Sequence, residues 1–533
     1  MKRLLALLLA VTMLMGLCAC GQAEENPAEN SSTTTVTAVT TVAGTTTSAE
    51  AEQTTTDTTA DATTIGTAAT TTAPAAVTTS TVAATAAPTR VKVKASLGGV
   101  SLSDYTIVVA ENCLDYVTRA ADYIRDEIRY RTGAELIVVS DDRAAVAHEI
   151  VVGETNRPIS KTLNAKTEGL QFSLLSKDGH VALEGNYFII AAAAYYFITT
   201  YITGKNVAAK VPATTQVLNP IQEKANNYIL CIGDGMGVEH TLLPKGYNKK
   251  KMSGEGVSDF TDGEDFFYGY LFPYEGRART PEIRGYVTDS AASATALATG
   301  YKTTNGRIGR DKDANDLMSI TELAASLGMN TAVMSTEGQT GATPSGFSAH
   351  ADARDQYDII KESQQALQDT YGTIIDCKYD HYDGLGVNYI LKPAIQDTLE
   401  EVSQGDKGFF MMYEEAYIDK HSHNREKEQA TWAVYRFNQA IATFMEFAFY
   451  HPDTMVIITA DHETGGLTDM GGVLTYSHGD HTDTKVPIYA YGIGAEVFHD
   501  KEIENVQIPK TIAAMWGQKL AADTDDVYPP LKK

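Results

Sequence analysis

The chain has 533 residues, and its 43 Lys+Arg against 68 Asp+Glu give a formal net charge of −25. That length exceeds one ordinary domain and points to two folded domains plus unfolded segments. The acidic balance excludes nucleic acid as a bulk partner, and any site for an anionic substrate must carry its own positive charge, from metals or Arg.

At the start of the chain, Lys2 and Arg3 precede an apolar run over 4–17 that is too short to span a bilayer comfortably and has signal-peptide flanks. Leu17-Cys18-Ala19-Cys20-Gly21 resembles a lipobox, with Leu17 three residues and Ala19 one residue ahead of Cys20. The expectation is a signal peptide over 1–20 and a lipid on Cys20. That lipid anchors an extracytoplasmic protein to the bacterial cell membrane and is its sole membrane contact. Cys113, Cys231 and Cys377 are too sparse for a disulfide framework or a zinc–thiolate site. Residues 21–89 are dominated by Thr, Ala, Ser and Val. Such a segment cannot bury enough surface to offset the entropy of ordering, so it reads as a disordered tether.

Over 90–220 the pattern becomes globular. Strands are expected at 105–110, 135–139, 149–152, 170–174 and 181–184. Helices are expected at 114–132, ended by Gly133, and at 187–202, ended by Gly204. The second helix is apolar, but it is short, rich in Tyr and Thr, and closes a strand–helix pattern. It reads as a domain helix and not as a membrane span. This α+β segment, with its phrase Ile150-Val-Val-Gly-Glu-Thr-Asn156, resembles the ancillary domain ahead of the catalytic domain in some bacterial glycoside hydrolases. The resemblance implies a glycan or cell-wall contact through 90–220, and the segment carries no catalytic constellation of its own.

Over 226–533, short apolar strands at 228–232, 331–335, 409–413, 455–459 and 486–491 alternate with helical stretches. Examples are 320–327 before Gly328, and 426–450 with Phe437, Ile441 and Phe444 on one stripe. The pattern predicts an α/β fold, a mostly parallel central sheet covered by helices on both faces, with ligands beyond the C-terminal strand ends.

Chemistry-bearing residues cluster at those ends. Gly233-Asp234-Gly235-Met236-Gly237 follows the first strand. Glu414 follows the third, then Asp419 and His423 spaced i, i+4. Asp461 and His462 follow the fourth, and His481 lies just ahead of the last. Mixed carboxylate and imidazole ligands suit Zn²⁺, and oxygen-only positions suit Mg²⁺. Ser290, in Val287-Thr-Asp289-Ser290-Ala-Ala, opens a run of small residues ending at Gly300. A hydroxyl at a helix N-terminus is favoured as an alkoxide beside a phosphate, and a plain N-cap serine is the competing assignment.

Taken together, 226–492 resembles the alkaline phosphatase family, bacterial and zinc/magnesium-dependent. The carrying motifs are 287–295, 233–237, Ala342-Thr343-Pro344, 409–414 with Asp419 and His423, 459–462, and His481-Thr482. The resemblance implies hydrolysis of small phosphate monoesters through a phosphoserine on Ser290. Asp419, His423 and His481 would hold one zinc. Asp461 and His462, with Asp234 bridging, would hold a second. Asp234, Thr343 and Glu414 would hold a magnesium. Arg354 would clamp the phosphate, and Lys420 would reach it through water. The paired cations, about 4 Å apart, serve an in-line displacement. One departure is Gly341, where the family carries Asp or His. That side chain tunes the third metal, so its loss bears on magnesium affinity and phosphate release. Glu415, where a small residue is common, has no account from sequence. The competing functions are a phosphodiesterase, sulfatase or phosphosugar mutase on the same fold, and a non-catalytic surface binding protein. The first group lacks a sulfatase motif here, and the second lacks any lost zinc ligand.

Overall fold

The computed structural model describes residues 92–163, 165–244, 266–377 and 388–520. The leader, Cys20 and the whole segment before residue 92 lie outside the described residues. Two sheets organise the rest. The first comprises β1 (Thr106–Val109), β2 (Val138–Ser140), β3 (Glu149–Val152), β4 (Phe172–Lys177), β5 (His180–Glu184) and β6 (Gln216–Leu218), in the order β2-β1-β3-β5-β4-β6. Helices α1 (Asp115–Thr132) and α2 (Ile190–Tyr201) accompany it. The stop of α1 is at Gly133 as expected, in the left-handed conformation and bonded back to the Arg129 carbonyl.

Three boundaries differ from the sequence expectation. β2 pairs with β1 only over Val138–Ser140, later than 135–139. β4 runs to Lys177, because Asp178 and Gly179 both take positive φ and close a two-residue hairpin onto β5. The helix expected over 187–202 begins as a 3₁₀ turn and stops at Tyr201, short of Gly204. Among the described residues, no helix is long and apolar enough to cross a membrane.

The second sheet comprises β7 (Asn227–Gly233), β8 (Tyr274–Arg279), β9 (Asn330–Ser335), β10 (Ile374–Asp376), β11 (Phe409–Glu415), β12 (Thr454–Thr459), β13 (Val486–Tyr491) and β14 (Glu502–Glu504), ordered β10-β9-β11-β7-β12-β13-β8-β14. The five strands from β10 to β12 are mutually parallel. β13 runs against both of its neighbours. Helices that serve the site are α3 (Ser290–Thr299), α4 (Ala342–Ser348), α5 (Tyr417–His423) and α6 (Lys427–Tyr450). Alternation along β11 shows that both sheet faces are covered. Phe409 and Tyr413 meet Phe447 and Phe437 of α6, whereas Phe410 points the other way, onto Trp516. The result is an α/β fold with a mixed sheet flanked by helices.

The first sheet is joined to this fold through α6. Arg119 of α1 makes a bidentate pair with Glu446, at 2.7 and 2.8 Å. Tyr123 packs on Tyr450 with ring centroids 4.4 Å apart. Phe188 meets Tyr268 edge-on at 5.0 Å. One continuous hydrophobic core runs from β1 to β13.

Candidate metal centre and nucleophile

The ends of β7, β11 and β12 lie side by side in parallel register, so the residues that follow them meet at one sheet edge. His481 joins them because β13 is antiparallel, which puts the start of that strand at the same edge. Close backbone approach is part of the construction. Gly235 sits at φ +73°, and a Cβ there would fall 2.8 Å from both Cα and Cβ of Asp419.

Asp419, His423 and His481 converge as the sequence predicts. Nε2 of His423 lies 3.3 Å, and Nε2 of His481 3.4 Å, from the Asp419 carboxylate. The two Nε2 atoms are 3.0 Å apart. Each ring faces a backbone carbonyl with its Nδ1, His423 at Gly479 (2.5 Å) and His481 at Thr288 (2.9 Å). Carbonyls accept only, so each Nδ1 carries a proton, and each Nε2 could present a lone pair once a cation displaces its own proton. Two imidazole nitrogens and a carboxylate brought together in this way are a candidate cation site.

Beside it, Nε2 of His462 lies 3.1 Å from Asp461 Oδ2 and 3.6 Å from Asp234 Oδ1. Asp461 Oδ1 accepts from the Gly235 and His462 amides at 3.0 and 2.9 Å, which aims Oδ2 at the cluster. Asp234, Asp419 and His462 also each offer a ligand atom, all within 4.8 Å of one another. Asp234 and Glu414 are near enough for the charge of one to act on the other, and Thr343 acts on Glu414, so these oxygen donors neighbour one another as an oxygen-rich group. Buried Asp234 Oδ1, Asp461 Oδ2, Glu414 Oε1 and Thr343 Oγ1 have no hydrogen-bond partner. Uncompensated buried oxygens are costly, and a cation is the partner this donor set fits.

Ser290 Oγ lies 3.2 Å from His462 Nε2, and the residue is 5 % exposed. It is not the N-cap. Asp289 takes that role, accepting from the Ala292 amide at 2.9 Å, and Ser290 is the first residue of α3. The cap requirement is thus met by the neighbour, and the serine hydroxyl stays turned to the cluster. Asp289 Oδ2 also holds Arg354 Nη1 at 3.3 Å, fixing the guanidinium beside the nucleophile. Lys420 Nζ is held at 2.5 Å by Glu337, a residue to which sequence patterns assign no role. Glu415 now has an account: its carboxylate pairs with Arg436 inside the core and accepts from Thr336 Oγ1 and the Tyr417 amide.

The electrostatics are those of a crowded acidic site. Burial, and then the charge of Asp461, push Asp234 far up. Burial, and then the charge of Glu337, raise Glu414 to about 8. Burial raises Asp461 to about 7. Burial also presses on Asp419, but hydrogen bonds from His423 and His481 outweigh it and hold that carboxyl well below its usual range. In return the bond to Asp419 lifts His423 to about 9. Glu414, Asp461 and His423 all have folded values above their unfolded ones. Each therefore contributes stability at low pH that is lost as pH rises through its folded value. The loss accrues from each unfolded value up to the folded one, so it is complete for Asp461 by about pH 7, and only Glu414, up to about pH 8, and His423, up to about pH 9, lose stability beyond that. A bound cation replaces the proton. Calorimetric Tm of EDTA-treated protein should therefore drop from pH 7 to pH 9 relative to Zn²⁺/Mg²⁺-loaded protein. A gap that stays constant over that range contradicts this reading.

The alkaline phosphatase family matches residues 225–390 and 387–478, a stretch that begins beyond the first sheet. Alkaline phosphatase 4 of Bacillus subtilis is 28% identical over 326 residues, covering 51% of this chain and 69% of that protein. The alkaline phosphatase of Escherichia coli is 25% identical over 389 residues, covering 50% and 81%. The solved alkaline phosphatase of the Antarctic bacterium TAB5 has 26% identity and a TM-score of 0.49, and the match covers 56% of this chain and 99% of that one.

Proposed function

We propose that the chain is an alkaline phosphatase family member, as the family match over residues 225–478 supports, and that this phosphomonoester hydrolase works through a phosphoserine on Ser290 at a centre of two zinc ions and one magnesium. The observation that carries the reading is the serine itself. Its hydroxyl, at the first position of a ten-residue helix, faces His462 and a set of buried oxygens without partners.

Asp419, His423 and His481 would hold one zinc, and Asp461, His462 and Asp234 the other. Asp234, Thr343 and Glu414 would hold magnesium, which suits an oxygen-only set. Bound there, the cations supply charge neutralisation and acidify the nucleophile and the water. The protein does the rest. The helix dipole of α3 favours negative charge on Ser290 Oγ and on an incoming phosphoryl group. Arg354, tethered by Asp289, presents a planar fork to two non-bridging oxygens of a monoester. Ser290 Oγ forms a bond to phosphorus as the ester P–O bond breaks, and the alcohol leaves with a proton. Water then attacks the phosphoserine, the Oγ–P bond breaks, and serine and inorganic phosphate are regenerated.

Support comes from the agreement of the ligand geometry with the motif order, and from the Arg354 tether. Turnover of a chromogenic phosphate monoester at alkaline pH by zinc- and magnesium-loaded protein, abolished by EDTA, is the expected result. Hydrolysis of a diester in preference to the monoester contradicts the assignment.

A further inference from the structure

The side chain missing at position 341 is replaced from a different position in the same loop. After β9 the chain turns back on itself, with the Gly341 amide bonded to the Gly338 carbonyl at 2.8 Å. This brings Glu337 over Gly341. A Cβ added at Gly341 would overlap Oε1 and Cδ of Glu337 and lie 2.6 Å from its Cγ. The space that a residue-341 side chain needs is therefore already filled by a carboxylate. That carboxylate is directed inward, with its side chain only 17 % exposed.

Its surroundings are those of the oxygen-rich group. The Glu337 amide donates to Ser335 Oγ at 3.0 Å, and Ser335 Oγ donates to Glu414. The charge of Glu337 bears on both Glu414 and Asp234. Glu414 Oε1 and Thr343 Oγ1 are buried, have no hydrogen bond of good geometry, and are close enough to act on each other. Lys420 closes the outer side, bonded to Glu337 Oε2 at 2.5 Å. Three carboxylates, from Asp234, Glu337 and Glu414, together with one hydroxyl, suit a hard divalent cation.

We propose that Glu337 is the carboxylate of the third cation site, standing in for the residue absent at Gly341, so that Asp234, Thr343, Glu414 and Glu337 together bind Mg²⁺. This rests on the metal-dependent reading above. Glycine at 341 is then a requirement, since any side chain there would expel Glu337.

Calorimetric titration of Mg²⁺ into the zinc-loaded full chain, with zinc content measured on the same samples, tests it. Wild type should bind one Mg²⁺ per chain. Glu337→Gln should weaken Mg²⁺ by about tenfold or more with zinc content unchanged. Gly341→Asp in a Glu337→Ala background should recover the binding, because the new carboxylate enters from the vacated side. Lys420→Ala should bind Mg²⁺ no more weakly than wild type, since it removes a competing positive charge. The proposal fails if Glu337→Gln binds Mg²⁺ like wild type, or if wild type binds none. It fails also if Lys420→Ala loses Mg²⁺ as Glu337→Gln does, for then Glu337 merely seats the lysine. Wild-type protein that takes up no zinc would instead overturn the metal-dependent reading itself.

Discussion

Ser290→Ala should lower monoester turnover by about 10³-fold or more while leaving metal content and Tm near wild type. The separation follows from what the hydroxyl touches. Its hydrogen-bond contact is His462 Nε2 at 3.2 Å, and His462 keeps Asp234 and Asp461 as neighbours. Asp289 caps α3 without help from the serine, and alanine is a better helix former. The fold and the ligand cluster thus lose one oxygen and nothing else, whereas the reaction loses the atom that receives the phosphoryl group. The test is steady-state turnover alongside zinc analysis and calorimetry. Turnover within tenfold of wild type would mean that water attacks the ester directly and that Ser290 only borders the site.

Glu415→Ala should be the most damaging single change to stability, costing about 3–5 kcal/mol. The side chains of Glu415 and Arg436 are both 0 % exposed and paired. Removing one member of a buried pair strands the charge of the other. The damage also reaches the site. Glu415 ties β11 to Thr336 after β9 and to the Tyr417 amide at the start of α5, the helix that carries Asp419 and His423. Urea unfolding should show the loss even in metal-free protein. Zinc affinity should fall as well, because its ligands ride on the loosened helix. Unfolding free energy within 1 kcal/mol or so of wild type would show that Arg436 is satisfied without Glu415, against expectation.

The sequence revealed the parts of the site that depend on local order. The ligands after β7, β11 and β12 were legible because each follows a short apolar strand, and parallel strands deliver their C-terminal ends to one edge. The same logic reached His481 through a wrong premise. It precedes β13, and it meets the others only because β13 runs antiparallel. β8 was missed because Tyr274–Arg279 alternates charged residues with small ones. Its arginines pair with Glu275 and Glu504, and no polarity pattern announces such pairing. The hairpin at Asp178-Gly179 carried a signal, two residues suited to positive φ, that would have placed the end of β4 correctly.

Other parts are set by tertiary contacts that no sequence spacing encodes. Glu415 finds Arg436 across the packing of α6 on the sheet. Glu337 meets Lys420 only after β9 and β11 are adjacent. Arg119 of α1 finds Glu446 more than three hundred residues away. That last pair packs the segment ahead of β7 against α6.

The central claim is that phosphorus passes through a covalent bond to Ser290. Acid-quenched turnover of a monoester by the metal-loaded protein, followed by peptide mass spectrometry, measures this directly. The expected result is one added phosphoryl group on the peptide that contains Ser290, absent in Ser290→Ala and in EDTA-treated protein. Active enzyme with an unmodified Ser290 peptide at every quench time and pH, or a phosphoryl group on a different residue, would contradict it.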